Sequence, residues 1–208
     1  MLKRATNARR EHLPVHCAWS GTLRNRPFVA VANGAGPRRA YAAVGGPGVE
    51  AVCNLGFCGG LDSSFQAADI FVAARVNGEE VCRPRSPLAH RTGSMASVDH
   101  VVRTAAEKRS LFDSGFLAVE MEAAGALSRA KSLGLPFYSI RAVSDLAGET
   151  LNCDFHRALR DDGTIDVKNL AVQVLARPLT CLPELIRLGK RAALASERLG
   201  EFIASCEF

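Results

Sequence analysis

Short apolar runs rich in valine alternate with helix-like segments from Pro27 onward, and glycines stand at the joints. The first three runs cover residues 28–32, 49–55 and 69–76. Each is nearly continuous in apolar residues, which is typical of strands in a sheet that helices cover on both faces. The alternation predicts an α/β fold, a single domain with a mixed, mostly parallel central sheet flanked by helices. We place this domain at residues 27–208, after an irregular basic segment at residues 1–26.

The rest of the chain continues the pattern. We expect a loop or hairpin at residues 77–97, strands at 97–104, 116–119 and 137–143, and helices at 105–115 and 121–132. The C-terminal quarter is predicted to be helical, without further strands. Its first helix begins near Ile165 and is expected to end at Pro178. From Leu185 to Cys206, apolar residues recur at three- and four-residue steps, which predicts a last helix packed on the sheet.

Composition excludes several classes of protein. Lys and Arg number 26 against 21 Asp and Glu, but the excess lies near the N-terminus and few aromatic residues accompany it, so nucleic-acid binding is the weakest of the functions considered. Seven scattered cysteines without a CxxC pair argue against both a disulfide framework and a zinc site. Five histidines form no HExxH pattern, so no metal site is expected. No apolar run is long enough for a membrane span, and we expect a cytoplasmic protein.

Polar or glycine-rich clusters follow four of the apolar runs: NGAGP at 33–37, GFCGG at 56–60, EME at 120–122 and SD at 144–145. Ligands of α/β proteins bind at the carboxyl ends of the strands, so these four clusters are expected to meet in one pocket. Neither glycine loop fits the GxxxxGK[ST] or GxGxxG fingerprint of nucleotide-binding proteins. The two acidic clusters instead predict a site with two carboxylates.

The combination of these segments resembles the purine nucleoside phosphorylase and nucleosidase superfamily. VEMEAAG at 119–125, with the aspartate of RAVSDLAG 23 positions after Glu122, is similar to the ribose-binding and catalytic segments of the methylthioadenosine/S-adenosylhomocysteine nucleosidases. LGFCGGLDSSFQAADIFVA resembles the stretch that lines the base in that family, although Ala68 stands where glycine is usual, and NGAGPRRA resembles its first glycine loop. ARPLTCLPELIRLGKRA is most similar to the hopanoid-associated phosphorylases, a branch linked to removal of adenine from adenosylhopane.

The resemblance implies cleavage of the N-glycosidic bond of an adenine-type nucleoside. Breaking that bond builds positive charge on the ribose and negative charge on the departing base. By resemblance, Asp145 protonates the base and Ser144 orients it, while Glu122 accepts hydrogen bonds from the ribose hydroxyls and Met121 packs under the sugar. As an acid, Asp145 is expected in a secluded pocket with a raised pKa. For Glu120, a secondary ribose contact and a helix-start carboxylate are both open.

The remaining site residues are also implied by the resemblance. Cys58 and Gly59 align with one wall of the base pocket, and Val101 and Val102 with the other. Gly36 and Arg38 are candidates for a phosphate contact. The family uses no metal or organic cofactor and commonly forms oligomers, so we expect a homo-oligomer whose partner is a small-molecule nucleoside, with phosphate as a second candidate.

Two features depart from the family pattern. Members open with an apolar strand that leads into a glutamate, whereas MLKRATNARREHLP is interrupted by charge and offers only Glu11. We therefore expect the first strand to be missing, and we favour a translation start further upstream or a fragment. Phosphorylases carry arginine and serine where this chain has Asn54 and Phe57, which favours hydrolysis over phosphorolysis. A nucleoside-binding module without activity is the alternative from another class.

Overall fold

The computed structural model describes residues 4–208. Its strands are β1 (Thr6–Glu11), β2 (Cys17–Leu23), β3 (Arg26–Ala32), β4 (Val52–Gly60), β5 (Ile70–Val76), β6 (Glu79–Glu80), β7 (Arg91–Ser97), β8 (Ala118–Glu120) and β9 (Phe137–Asp145). Its helices are α1 (Pro37–Ala43), α2 (Ala105–Asp113), α3 (Ala123–Ser132), α4 (Phe155–Ala158), α5 (Val167–Ala176) and α6 (Pro178–Ser205). None of the helices in this part of the chain is long and apolar enough to cross a membrane.

The strands form two sheets. The larger one runs β6-β5-β7-β8-β4-β9, and β5 also pairs with β9, so five of its strands close into a ring. Three pairings within the ring are parallel (β4 with β9, β5 with β7, β7 with β8) and two are antiparallel. The predicted α/β domain with a mixed, mostly parallel central sheet is therefore confirmed.

The segment predicted to be irregular, residues 1–26, contains two strands as far as it is described; its first three residues lie outside the described part. β1, β2 and β3 form an antiparallel sheet of their own. The turn between β2 and β3 consists of Arg24 and Asn25, both at positive φ, which is the two-residue hairpin turn that matches strand twist. Charge did not prevent β1, because nearly all of its side chains are exposed and none of its charges needs burial.

The strand predicted at 97–104 is also corrected, because the pairing strand is β7, inside the segment interpreted as a loop or hairpin. Gly93 allows β7 to pass Leu117, whose side chain would lie 2.5 Å from a Cβ at that position. β7 ends at Ser97, whose backbone N–H and C=O both bond the side chain of Asn77 at 2.8 Å. The chain then leaves the sheet, and residues 98–104 form an irregular loop.

Helix α6 packs on the sheet as its apolar periodicity predicts. Ala195, Phe202 and Ile203 are buried in one cluster with the inner residues of β5 and β9. The helix begins earlier than expected, since Pro178 stands at its first turn, where a missing N–H costs nothing.

Ala68, at the position where the family has glycine, has a φ of 69°, a backbone conformation that glycine adopts without strain.

Candidate active site

Three neighbouring strands, β8, β4 and β9, meet at Gly59. In β4, Gly59 pairs with Asp145 of β9 on one side and with Val119 of β8 on the other. A Cβ at Gly59 would lie 3.0 Å from Asp145 Oδ2 and 3.2 Å from the Val119 side chain. The sheet register thus brings the EME and SD clusters to either side of one glycine.

A cleft of about 3020 Å³ opens at this edge, between β3 and β4. It is lined by nine of the sequence-predicted site residues: Asp145, Ser144, Glu122, Met121, Glu120, Cys58, Gly59, Val101 and Val102. Among the described residues, β4 pairs with β8 only at Gly59 and Gly60, so the edge of residues 52–58 faces this cleft without a neighbouring strand. Ligand pockets are usually about 300–1,000 Å³. A single small-molecule ligand would therefore fill only part of this cleft.

Asp145 is held by two donors. The Ser144 hydroxyl donates to its Oδ1 at 2.9 Å and also lies 3.2 Å from the Cys58 carbonyl oxygen. The Lys108 ammonium donates to its Oδ2 at 2.5 Å and to the Leu146 carbonyl at 2.8 Å. Only 15% of the Asp145 side chain is exposed. The secluded position predicted for this carboxyl is present, together with a cation that the sequence analysis did not assign to it.

Lys108 is the functional residue that sequence reasoning missed. It lies on α2 and its side chain is fully buried. Lysine is almost never fully buried unless a partner neutralises it, and here Asp145 is that partner. A signal was available, since Lys108 shares its helix face with Leu111 and Phe112 at the i+3 and i+4 positions, both in the apolar cluster under α2.

Glu120 is a buried helix-start carboxylate. It accepts hydrogen bonds from the backbone N–H groups of Glu122, at 2.9 Å, and Ala123, at 3.0 Å, at the first turn of α3. Arg141 of β9 also donates to it, and both side chains are almost completely buried. These contacts occupy the carboxylate of Glu120. Of the two roles that the sequence left open, the geometry therefore favours a helix-start carboxylate over a ribose contact.

Arg141, a second residue that sequence reasoning missed, joins the two acidic positions. One of its terminal nitrogens bonds Glu120 and the Asn54 side chain, and the other lies 3.5 Å from Glu122 Oε2. Within residues 4–208, its Nε is one of two buried side-chain nitrogen or oxygen atoms without a hydrogen-bond partner. A lone arginine in the apolar run FYSIRAV was the signal, because a buried guanidinium requires acidic partners.

Glu122 keeps the more accessible carboxylate. Its Oε1 accepts the backbone N–H of Gly36, in the first glycine loop, at 3.1 Å. Burial raises the pKa of Glu122 and the nearby Glu120 charge raises it further, while the Arg141 charge and the Gly36 hydrogen bond act against the rise. About a quarter of its side chain is exposed, so one face of the carboxylate remains open to a ligand.

The predicted base-pocket residues lie in the same cleft, on two elements. Cys58 is buried in β4, and burial raises the pKa of its thiol, so this group stays neutral. Val101 and Val102 lie in the irregular loop after β7, and Val102 packs with Leu61 in an apolar cluster. Cys58, Val101 and Val102 thus contribute apolar surface to the cleft lining.

Neither candidate for a phosphate contact is part of the described cleft lining. The backbone of Gly36 bonds Glu122, whereas Arg38 is exposed on α1. Asn54 is engaged by Arg141, and Phe57 is partly exposed in the cleft. In the described part of the chain, no group of three or more His, Cys, Asp or Glu is arranged to hold a metal ion.

Comparison with known proteins gives a family match to part of the chain and a set of similar folds. A family profile described as the phosphorylase superfamily matches residues 79–176, a segment that contains Glu122 and Asp145. No curated protein sequence matches the chain significantly.

Three solved structures illustrate the fold. S-adenosylhomocysteine nucleosidase from Streptococcus pyogenes, in complex with 5-methylthiotubericidin, is 17% identical with a TM-score of 0.69, over 98% of this chain and 88% of that chain. The 5'-methylthioadenosine/S-adenosylhomocysteine nucleosidase from Neisseria meningitidis, in complex with methylthio-immucillin-A, is 20% identical with a TM-score of 0.68, over 98% and 90%. Futalosine hydrolase of Helicobacter pylori is 16% identical with a TM-score of 0.69, over 98% and 88%. At these identities the likeness is one of fold.

Proposed function

We propose that this protein cleaves the N-glycosidic bond of an adenine-type nucleoside. The segment matched by the phosphorylase-superfamily profile and the similarity of the fold to nucleosidases support the proposal. One observation carries the proposal. Asp145, the last residue of β9, and Glu122, two residues after β8, line the same cleft on opposite sides of β4. The two carboxylates serve opposite ends of one bond, because the base leaves with negative charge and the sugar becomes positive.

Asp145 acts on the base. A carboxyl group can protonate the imidazole-ring nitrogen of a departing purine only while it holds a proton. Ser144 and Lys108 hold one carboxylate oxygen each, which fixes the orientation of the acid. Preorganised orientation of this kind lowers the cost of reaching the transition state.

Glu122 acts on the sugar. Gly36 holds one of its oxygens and Arg141 lies beside the other, which positions the carboxylate over the open part of the cleft. In this position it accepts hydrogen bonds from the ribose hydroxyls, and Met121 lies beside it in the same lining. The ionised carboxylate also stabilises the positive charge that develops on the ring.

Water is the attacking group in this proposal. Two features support it: Asn54 is bonded by Arg141 and is not a cation, and Arg38 lies outside the cleft lining. Neither position provides the charge-assisted donors that a phosphate dianion needs.

The test is release of adenine from methylthioadenosine and adenosine, followed by chromatography with and without phosphate. We expect the free sugar of each nucleoside in both conditions. Formation of the sugar 1-phosphate only when phosphate is present would overturn the proposal of hydrolysis. Asp145→Asn should retain nucleoside binding, measured by calorimetry, and lose about 100-fold or more in base release. Release at the wild-type rate by a folded Asp145→Asn variant would refute the assignment. Tight binding without release by the wild type would instead identify a binding module.

A further inference from the structure

Helices α5 and α6 expose an apolar surface away from the cleft. We call it the α5–α6 surface, and it consists of Val167, Val172, Leu175, Leu179, Leu182 and Ile186. Leu175 is 81% exposed and Leu179 is 90% exposed. Single exposed leucines are common on proteins, but six large apolar side chains on two consecutive helices require a partner.

The two helices are amphipathic, with opposite faces of different character. Leu179, Leu182 and Ile186 follow one another at three- and four-residue steps, so they share one face of α6. The other face of α6 is buried, where Glu184 accepts the backbone N–H groups of Asn152 and Cys153. The orientation of the helices is therefore set by the protein interior, and the apolar face is presented outward.

The charges around the α5–α6 surface are positive. Between residues 167 and 196 the cations are Lys168, Arg177, Arg187, Lys190 and Arg191. Glu184 is the single acidic residue in that segment, and it is buried. Arg187 and Arg191 pair with Glu149, which leaves Lys168, Arg177 and Lys190 as exposed cations beside the apolar side chains.

We propose that the α5–α6 surface docks on an anionic lipid bilayer. A bilayer offers both groups that this surface matches, an apolar interior for the leucines and anionic head groups for the lysines and arginine. The protein would lie at the interface and would not cross it, in keeping with the absence of a spanning helix among the described residues. A second copy of the chain fits less well, because a two-fold interface sets the same patch against itself and would oppose Lys168, Arg177 and Lys190 without exposed acids between 167 and 196 to pair them.

The test is co-sedimentation of the full chain with vesicles of phosphatidylcholine, with and without phosphatidylglycerol, at low and high salt. We expect binding to the anionic vesicles that weakens as salt is added. Leu175→Glu with Leu179→Glu should reduce that binding by about tenfold or more, since both apolar contacts are lost and negative charge is added. The matched control is Val29→Glu on β3, a position 57% exposed outside the α5–α6 surface, which should bind vesicles as the wild type does.

Two measurements keep the outcome decisive. Circular dichroism and thermal unfolding of each variant confirm that a loss of vesicle binding is not a loss of fold. Absence of wild-type binding to anionic vesicles, or unchanged binding by the double variant, would overturn the proposal. A dimer in sedimentation analysis that the double variant disperses, without vesicle binding by the wild type, would assign the surface to a second copy instead.

Discussion

Replacement of Lys108 by methionine gives a sharp test of the site, because its cost should depend on pH. The change keeps the length of the side chain but removes a fully buried ammonium from Asp145 and from the Leu146 carbonyl. Breaking a buried ion pair by removing one partner costs about 3–5 kcal/mol. The carbonyl left without a donor adds about 1 kcal/mol.

The carboxyl group can escape this penalty by binding a proton. From the ordinary pKa of an aspartic acid, protonation costs about 4 kcal/mol at pH 7 and about 1.5 kcal/mol at pH 5. The smaller of the two penalties applies at each pH, so Lys108→Met should lose about 4–5 kcal/mol at pH 7 and about 2.5 kcal/mol at pH 5. Lowering the pH helps the folded variant because its folded state binds the additional proton.

The assay is urea unfolding at both pH values. The matched control is Arg109→Met, at the next residue, whose side chain is 72% exposed, pairs with Asp113 and lies over the Phe112 ring; it should change stability by about 1 kcal/mol or less at either pH. The double variant Lys108→Met with Asp145→Asn should cost less than the two single changes added together. Equal losses at pH 7 and pH 5, or simple additivity, would refute a buried charge pair.

Three further predictions concern residues around this pair. Gly59→Ala should lower base release by about tenfold or more while leaving the fold intact, because the new Cβ would lie 3.0 Å from Asp145 Oδ2 and displace the acid; steady-state kinetics at wild-type values would contradict this. Since burial raises the pKa of Glu122, its carboxylate takes up a proton at pH values above the ordinary glutamic acid range. The nucleoside affinity measured by calorimetry should therefore fall as the pH drops toward about 5. The Glu122→Gln variant should bind the nucleoside more weakly, with an affinity that does not change with pH over that range. Because the pKa of Glu122 is raised in the folded protein, ionisation of this group lowers the free energy of unfolding. This penalty is absent at pH values below the ordinary pKa of glutamic acid and complete at pH values above the raised pKa. Arg141→Met should lower stability by about 3–5 kcal/mol, because it leaves the buried Glu120 carboxylate without its cation, and thermal unfolding with little change would argue against that contact.

Local patterns predicted most of the central domain. Apolar runs separated by glycine and helix-like segments located β3, β5 and β9 and the helices α2 and α3, because strand and helix periodicity are properties of neighbouring residues. The sequence failed at β7, whose residues RTGSMAS are poor in β-branched side chains. That strand exists because Gly93 lets it pass close to Leu117, a contact between distant parts of the chain.

The same division holds for the candidate site. The sequence alone determined that Glu122 and Asp145 follow apolar strands. Their meeting depends on the tertiary structure, because β8 runs antiparallel and β9 parallel to β4, and both pair with it at Gly59. The sequence also did not determine which charges face those carboxylates. Lys108 reaches Asp145 from a helix 37 positions earlier, and Arg141 reaches Glu120 across the sheet, 21 positions away. Such pairs depend on the register of β4 with β9 and on the packing of α2, and therefore only the tertiary structure decided that Asp145 and Glu120 each have a buried cation beside them.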